Sequence, residues 1–454
     1  MLSSYIGMWT PVYANDLTPW NPTLWARESI AILEESMVFG NLVHRDFNSE
    51  VASFGDTVNT RKPAEFSSNM YAQGDTVTYQ DATAANVAVK LDQVADVSFK
   101  IFDLEETYSF ADLVPEYLVP AALALGRTVD RKIAGQASQF LANTTGGLGL
   151  LSKTTSQDFL IDTEKKANEQ KISDVGRNLV LTSGGKASIL QTGLFVSAEQ
   201  AGTDTALRRA LMGNLFGMTT YMSLNLPGTV NGTLDTATTT AAAATAGATT
   251  ISSTASLSDN QYFTIVGDAT PLQVNAVAGV GPYTITLERP LREAVASGVA
   301  LQPYTQGAVN FAGGYADGWT KAIEFDGSAT AHVGQIVSFG AGTDEYVIVD
   351  MPTSTSIVLD RALEVVIADN DTVNFGPDGD LNFAFHRNAI TFVNRPMKVI
   401  PTGSGANMAV ASSHNISVRV ATSWDQDSKS LKVSMDVLFG IKVLDTALGV
   451  VMLG

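Results

Sequence analysis

The chain has 454 residues, of which 45% are hydrophobic and 16% charged, and its formal net charge at pH 7 is −18. This length exceeds what one hydrophobic core usually serves, so we expect two or three domains. Cysteine is absent, which excludes disulfides, thiol nucleophiles and cysteine-ligated zinc. The acidic charge without a basic stripe argues against direct nucleic-acid binding. We expect no secretory signal and no membrane span.

The start of the chain predicts an extended arm followed by a short helix. The first twenty or so residues are aromatic, proline-dotted and aperiodic. Asn21 suits a helix cap, Pro22 the first helical position and Gly40 a helix end. The apolar residues between them share one helical face: Ala26, Ile30, Leu33 and Met37.

From about residue 50 to 103 the apolar period changes to two, which predicts strands. The stretch between Arg61 and Ala85 is polar and threonine-rich, so we predict a long hairpin-like excursion with little core of its own. We expect a lone chain to leave the alternate apolar positions of its second strand exposed: Val97, Phe99 and Ile101.

Pro120 predicts the start of the strongest helix, which runs to about Asn143 and ends at a glycine-rich segment. Its apolar face consists of Ala122, Leu125, Val129, Ile133 and Phe140. The elements predicted after it are a polar helical stretch over 162–174, a buried strand over 178–182, a short helix over 206–211, and a turn over 213–217 that leads into a strand ending at Pro227.

Residues 231–376 form a β-rich tract that opens on a low-complexity Thr/Ala run. The same strand pattern then occurs twice, with Glu288-Arg289 and Asp360-Arg361 in corresponding places. The tract holds 15 acidic and 4 basic residues, a net charge of −11. We interpret it as two tandem β units inserted into an α+β scaffold. The scaffold resumes at Leu381 and closes with strands over 416–420, 431–439, 441–444 and 450–453.

No segment has the residues of a catalytic or metal site at the required spacing. The four histidines lie in different segments, without metal-ligand spacing: His44, His332, His386 and His414. We interpret His386 as a packed or interface residue. The segment 183–186 lacks the spacing of a phosphate loop and is interpreted as a turn, and 146–149 follows a helix instead of the strand that a dinucleotide fingerprint needs.

Two carboxylate pairs and two lysines complete the candidates. We interpret the pairs as solvated turn residues or as partners for arginines of a neighbouring subunit: Glu105-Glu106 and Asp378-Asp380. Lys90 and Lys100 are candidates for covalent crosslinking by position alone, and we interpret both as solvated. The sequence therefore predicts a protein that is not an enzyme, with no catalytic residue, cofactor or metal.

Taken in order, several segments resemble the major capsid proteins of tailed bacteriophages, in the branch of the coat protein of Salmonella phage P22. The resemblance spans most of residues 21–230 and 380–454. It rests on the order of arm, helix, excursion and long helix, on the strand 178–182, on the segment 210–227, and on the segment 382–390 followed by an Arg-Pro and by residues 435–444.

The resemblance implies the Hong Kong phage capsid fold, with an inserted β-rich domain. Relatives in this branch carry one β-barrel-like insertion, whereas this chain has two units. The implied domains are an N-terminal arm and helix (1–48), an E-loop (49–103), a P-domain with a spine helix (104–176, to which 431–454 return), an A-domain (177–230 and 377–430) and the insertion (231–376).

The function that the resemblance implies is structural. A major capsid protein of Caudoviricetes self-assembles as hexamers and pentamers into the icosahedral head shell that encloses the phage genome. Its location is the virion, with assembly in the host cytoplasm, and its partners are a scaffolding protein, a portal and a decoration protein. The alternative is a β-rich tail or surface adhesin component, which the Thr/Ala run and the repeat favour and the long central helix does not.

Overall fold

The computed structural model describes residues 22–45, 57–61, 70, 86–102, 113–192, 213–226, 238–268, 270–327, 331–340, 344–376, 379–399, 406–413 and 416–454. Within these residues the chain is α+β and rich in strands. The predicted arm, most of the predicted excursion and the predicted helix over 206–211 lie outside them.

The described helices pack their apolar stripes inward. They are α1 (Pro22–Ser36), α2 (Phe39–Leu42), α3 (Leu113–Gly135), α4 (Ser156–Glu169) and α5 (Ser183–Gln191), with 3-10 turns at Gln136–Phe140, Arg387–Ala389 and Thr446–Leu448. The predicted stripes of α1 and of α3 with its following 3-10 turn are confirmed, because every member is at most 5% exposed.

One antiparallel sheet lies under α1 and α3. Its strands are β3 (Gln93–Phe102), β24 (Ser430–Val443), β23 (Ile416–Asp425), β22 (Ala406–Ser413) and β21 (Ile390–Arg395). β24 is central, with every residue of β3 paired along one side and β23 and β21 along the other. A short separate ladder joins β1 (Thr57–Arg61) to β2 (Asn86–Lys90).

The prediction that β3 leaves its alternate apolar positions exposed is wrong. Ile101 is 2% exposed, and Val97 and Phe99 are half-buried against the core that α1 and α3 form with the sheet. The Phe99 ring lies 5.9 Å from that of Tyr117 on α3. The cause is the pairing of β3 with β24, which turns this side of the strand toward the two helices.

A second, mixed sheet joins segments from both sides of the β tract. Its order is β4 (Thr144–Gly146), β25 (Gly449–Leu453), β20 (Leu381–His386), β5 (Arg177–Leu181), β7 (Met218–Met222) and β6 (Asn214–Leu215). Every residue of β5 is buried, in agreement with the predicted buried strand. The predicted glycine turn joins β6 to β7, with Phe216 and Gly217 at positive φ.

The described residues between 238 and 375 form two β units of six strands each. The first unit comprises β8 (Thr238–Thr239), β9 (Thr250–Ser253), β10 (Tyr262–Ile265), β11 (Leu272–Ala278), β12 (Tyr283–Leu287) and β13 (Ala300–Pro303). The second comprises β14 (Gln306–Val309), β15 (Ile323–Asp326), β16 (Ile336–Phe339), β17 (Tyr346–Thr353), β18 (Ser356–Leu359) and β19 (Thr372–Phe375). Each unit has a hydrophobic core of its own.

The two units have the same strand order. In each, the first strand neighbours the sixth, followed by the third, fourth, fifth and second. The second unit closes into a barrel because β14 also pairs with β15. At the equivalent place the first unit has a single bridge, from Thr240 to Ser253.

Several element boundaries differ from the predictions. α3 begins at Leu113 and carries Pro120 inside it, where the predicted start was Pro120 itself. Pro115 lies in the first turn, where no backbone N–H needs a partner, so the helix can start before it. α1 ends at Ser36, and Gly40 belongs to α2. The two strands predicted over 431–444 are one strand, β24, in which Gly440 allows the close approach of the Lys90 backbone that a side chain would block.

Candidate functional site

Charged and polar side chains are buried where the end of α3 meets the two β units. We call this cluster the junction, and it consists of Lys132, Gln136, Arg289, Glu345, Asp360 and Arg361. α3 supplies Lys132 on its last turn, and the 3-10 turn that continues it supplies Gln136. The β units supply the four remaining residues.

The second β unit is attached to the helix through Asp360, which is completely buried. One carboxylate oxygen accepts the backbone N–H of Val347 at 2.8 Å, inside the unit. The other accepts Nε2 of Gln136 at 2.8 Å. Lys132 adds a bond by donating to the carbonyl oxygen of Leu359 at 3.0 Å. The carboxylate therefore joins the helix end to the β unit, and both of its oxygens are hydrogen-bonded.

Burial shapes the charges of this contact. Burial lowers the pKa of Lys132 to about 8, against the partial compensation of the Asp360 charge. Arg361 lies with its guanidinium 4.2 Å from the centre of the Tyr346 ring and 3.3 Å from the Asp360 carboxylate. Burial also raises the pKa of Tyr346 to about 12. The cation is thus held by a ring face and a carboxylate in place of water.

The first β unit contacts the second through Glu345. Its carboxylate forms an ion pair with Arg289 and accepts the hydroxyl of Tyr262 at 2.6 Å. Burial and the nearby Glu345 charge raise the pKa of Tyr262, so the phenol remains a donor. Gln273 donates to Ser338 across the same boundary at 2.9 Å.

Two cavities of about 350 and 340 Å³ flank the junction. The first is lined by Lys90, Arg361 and Lys442 and by carboxylates that balance them. A bridge from Lys442 to Glu364, at 3.4 Å, lies at both cavities. Charges of both signs in close pairs suit a contact that fixes the relative position of structural elements.

The structure does not bring the predicted candidate histidines together. His44 forms an isolated bridge with Thr391, and the backbone N–H of His332 donates to Gln335. His386 ends β20 and is half-buried, and its Nδ1 accepts the N–H of Asn388 at 3.2 Å, so a packed or interface role stays a prediction. His414 lies outside the described residues.

The segment 183–186 is the first turn of α5, so its interpretation as a turn is wrong. Thr182 caps this helix by accepting the N–H of Gly185 at 3.0 Å. A side chain at Gly184 would collide with the carboxylate of Asp380. The chain's own carboxylate therefore occupies the helix N-terminus, where an anion is stabilised.

Asp380 is also an exception to the predicted solvated carboxylates, because it is only 7% exposed. Asp378, its partner in that prediction, lies outside the described residues, as do Glu105 and Glu106. Lys90 and Lys100 are exposed as predicted, and Lys100 lies 4.9 Å over the ring of Phe102.

The sequence does not predict the junction, although it contains one signal for it. The acid–arginine pair occurs twice, as Glu288-Arg289 and Asp360-Arg361, yet nothing in the pair indicates which partner it contacts. Lys132 stands next to Ile133 of the apolar stripe in the sequence, and the structure buries it to 7% exposure.

Among the residues that the structure describes, no group of three or more histidine, aspartate or glutamate side chains is placed to hold a metal ion. None of the described helices combines the length and apolar character needed to cross a membrane.

No protein-family model and no curated protein matches this chain. Similar solved structures come from bacteriophages. A chain of Mycobacterium phage Che8 is 16% identical, with a TM-score of 0.46 over 92% of this chain and 90% of that one. A chain of the capsid structure of the cyanophage P-SCSP1u is 10% identical, with a TM-score of 0.44 over 92% and 88%. A chain of the mature capsid of bacteriophage PhiM1 is 8% identical, with a TM-score of 0.40 over 92% and 86%.

Proposed function

We propose that this chain is a structural major capsid protein of a tailed bacteriophage, with the Hong Kong phage capsid fold. The observation that supports the proposal most is the pairing of β5 with β20. Leu179 lies opposite Ala384 in this pair, although the whole β tract separates the two residues in the sequence. The described segments that resemble coat proteins thus form two sheets, and the long helix packs with them. The β tract lies outside these sheets.

The domain assignment is part of this proposal. The arm and first helix (1–48), the E-loop (49–103) and the P-domain (104–176) come first, and α3 is the spine helix. The A-domain (177–230 and 377–430) is interrupted by the insertion (231–376), and the P22-type coat branch is the proposed subgroup. Residues 431–454 return to the scaffold, where β24 pairs with β3 and β25 with β20 and β4.

Contacts between copies would bury surface that one chain leaves exposed. Because the apolar side of β3 packs against the chain's own core, we propose that other residues form the contacts between copies. Tyr221, Met222 and Leu224 form an exposed apolar run at the end of β7, with exposed fractions of 38%, 41% and 77%. Such runs at a sheet edge are typical of protein interfaces. Hexamers and pentamers of the shell would form through surfaces of this kind.

The charge suits a container for DNA. The net charge of −18 lets a shell of such subunits repel packaged nucleic acid, so that the genome slides during filling. The β tract carries −11 of this charge and would project outward or bridge capsomers. A scaffolding protein, a portal and a decoration protein are the proposed partners, in a virion assembled in the host cytoplasm.

Negative-stain microscopy of the purified protein tests the proposal. We expect shells or capsomer rings, either from the protein alone or after co-expression with a scaffolding protein. Monomers under all of these conditions would contradict it and favour a role outside the shell.

Deleting residues 231–376 and closing the gap with a short linker tests the domain assignment. Because β5 and β20 pair directly, we expect the remaining chain to keep a compact, cooperatively unfolding core. Separate unfolding transitions for the parts before and after the deletion would show that the boundary is wrong.

A further inference from the structure

The two β units share detailed contacts as well as strand order. Phe263 lies opposite Leu272 in the first unit, and Val337 lies opposite Tyr346 at the same offset in the second. The fourth strand is irregular at the same point in both units, after Val274 and after Ile348. The units are therefore two copies of one structure.

A glutamine has the same two bonds in each copy. Gln261 accepts the N–H of Ser258 and donates to the carbonyl of Tyr304. Gln335 likewise accepts the N–H of His332 and donates to the carbonyl of Gly376. Because equivalent residues of the two units make the same contacts inside each unit, a contact that differs between the units reflects what surrounds each unit. Such contacts therefore show how each unit is attached.

The acid–arginine pair after the fifth strand is such a difference. In the second unit the acid, Asp360, reaches the helix through Gln136, and Arg361 stays on Tyr346 within the unit. In the first unit the arginine, Arg289, makes the external contact.

The partner of Arg289 is Glu345 of the second unit, where Tyr262 also donates. Both charged side chains of this pair are largely buried, at 14% and 8% exposure. Removing one partner of a buried pair leaves the other charge without compensation, which makes this contact sensitive to a single substitution.

A second contact links the first unit directly to the sheets. Arg292 pairs with Asp268 at 2.5 Å and donates to the carbonyl of Gly146. Its side chain is 29% exposed, and its partner in the sheets is a neutral carbonyl. A hydrogen bond from a partly exposed side chain to a neutral carbonyl is expected to contribute less than a buried ion pair, so this contact should be the weaker of the two.

We propose that the β units dock in series, the second on the end of α3 and the first on the second, each through the acid–arginine pair after its fifth strand. The second unit is then the platform that positions the first. The proposal concerns contacts inside one chain, so it does not depend on which assembly the chain forms.

Spin labels can test this order, because the chain has no cysteine and accepts labels at chosen positions. Cysteines would replace three exposed valines, one on each body: Val280 on the first unit (96% exposed), Val366 on the second (71%) and Val175 on the sheets (83%). Pulsed electron paramagnetic resonance on each pair of labels measures three distances. Labelled chains are diluted into excess unlabelled chain so that only distances within one chain contribute.

Two contacts, which we call the joints, are broken separately. The first joint is the pair of Arg289 with Glu345 between the two units, and the second is the bond of Gln136 to Asp360 between α3 and the second unit. With Glu345→Gln we expect a longer-distance population to appear for both pairs that include residue 280, while the 366–175 distance keeps its single narrow peak. With Gln136→Leu we expect the longer population for both pairs that include residue 175, while the 280–366 distance stays narrow. The second pattern means that the first unit moves together with its platform.

Other outcomes overturn the proposal. If the 280–175 distance stays narrow in Gln136→Leu, the first unit is held by the sheets directly. If the 280–366 distance stays narrow in Glu345→Gln, the pair does not hold the two units together. Should either variant fail to fold, Arg289→Met breaks the first joint from its other side and Gly135→Ala breaks the second.

Arg292→Gln is the matched control. It removes the bond from the first unit to Gly146 without touching either joint, so all three distances should keep the wild-type width. Broadening of either distance from residue 280 would show that Arg292 carries the docking, and would equally overturn the serial order.

Discussion

Replacing Gly135 with alanine sets two well-defined effects against each other. Gly135 ends α3 with φ −58° and ψ −26°, an ordinary helical conformation that any residue adopts. By helix propensity alone, alanine would stabilise the chain by about 1 kcal/mol. The added Cβ, however, would lie 2.5 Å from Cβ of Asp360 on the second β unit.

The collision should outweigh the propensity. Carbon atoms pack at about 3.5–4.0 Å, so the helix and the β unit would have to separate by roughly 1 Å or more. Asp360 cannot turn aside, because its two oxygens are bound to Val347 and Gln136 at 2.8 Å each. Forcing an extra methyl group into a well-packed contact costs about 1–3 kcal/mol, and an approach of 2.5 Å between two carbon atoms belongs at the upper end of that range. We expect Gly135→Ala to lower the free energy of unfolding by about 1–2 kcal/mol.

Urea unfolding of the purified chain, followed by circular dichroism, measures this difference. Thr128→Ala is the matched control, because Thr128 is exposed on the same helix and the change raises propensity without a collision. It should leave stability unchanged or raise it by about 0.5 kcal/mol. A Gly135→Ala chain as stable as wild type would refute the close approach of helix and β unit.

Three further predictions concern single residues. Burial lowers the pKa of Lys132 from 10.5 to about 8, so between these pH values the unfolded chain binds more protons than the folded chain. The free energy of unfolding should therefore rise with pH, by about 3 kcal/mol over the whole interval. Lys132→Met should abolish this rise, measured by urea titrations at pH 7.5 and 10. Leu33→Ala should cost about 2–5 kcal/mol of unfolding free energy, against less than about 0.5 for the exposed control Ile161→Ala, both measured by urea denaturation. Asn382→Leu should lower the thermal midpoint in calorimetry, because the buried N–H of Thr182 that it binds at 2.9 Å loses its partner, at about 1–3 kcal/mol; an unchanged midpoint would mean that water replaces the bond.

Local periodicity carried the successful part of the sequence analysis. The stripe of α1 was predicted from spacings alone, and Ala26 and Leu33 are both at most 1% exposed. A helix face depends on residues three and four apart, which the sequence displays directly. The same holds for the turn before β7, where the positive φ of Gly217 is a local demand.

Pairing between distant parts of the chain explains the failures. Whether Phe99 faces water depends on Val433, its partner in β24, which lies near the other end of the sequence. A period of two shows that one side of a strand is apolar, but the neighbours in the sheet decide what covers that side. The prediction that Asp380 is solvated was wrong for the same reason. The helix terminus that its carboxylate contacts lies before the β tract in the sequence, and Asp380 lies after it.

The repeated acid–arginine pair marks the boundary between these two cases. Its recurrence is visible in the sequence, and both copies lie at the same place in the same unit structure. Yet Asp360 makes the outward contact in one copy and Arg289 in the other, because one copy faces the amide of Gln136 and the other the carboxylate of Glu345. A duplicated surface keeps its residues while its partners change, and the chemistry of the partner selects which charge is used. The repeat predicted two units, and only the contacts around them give the order of docking.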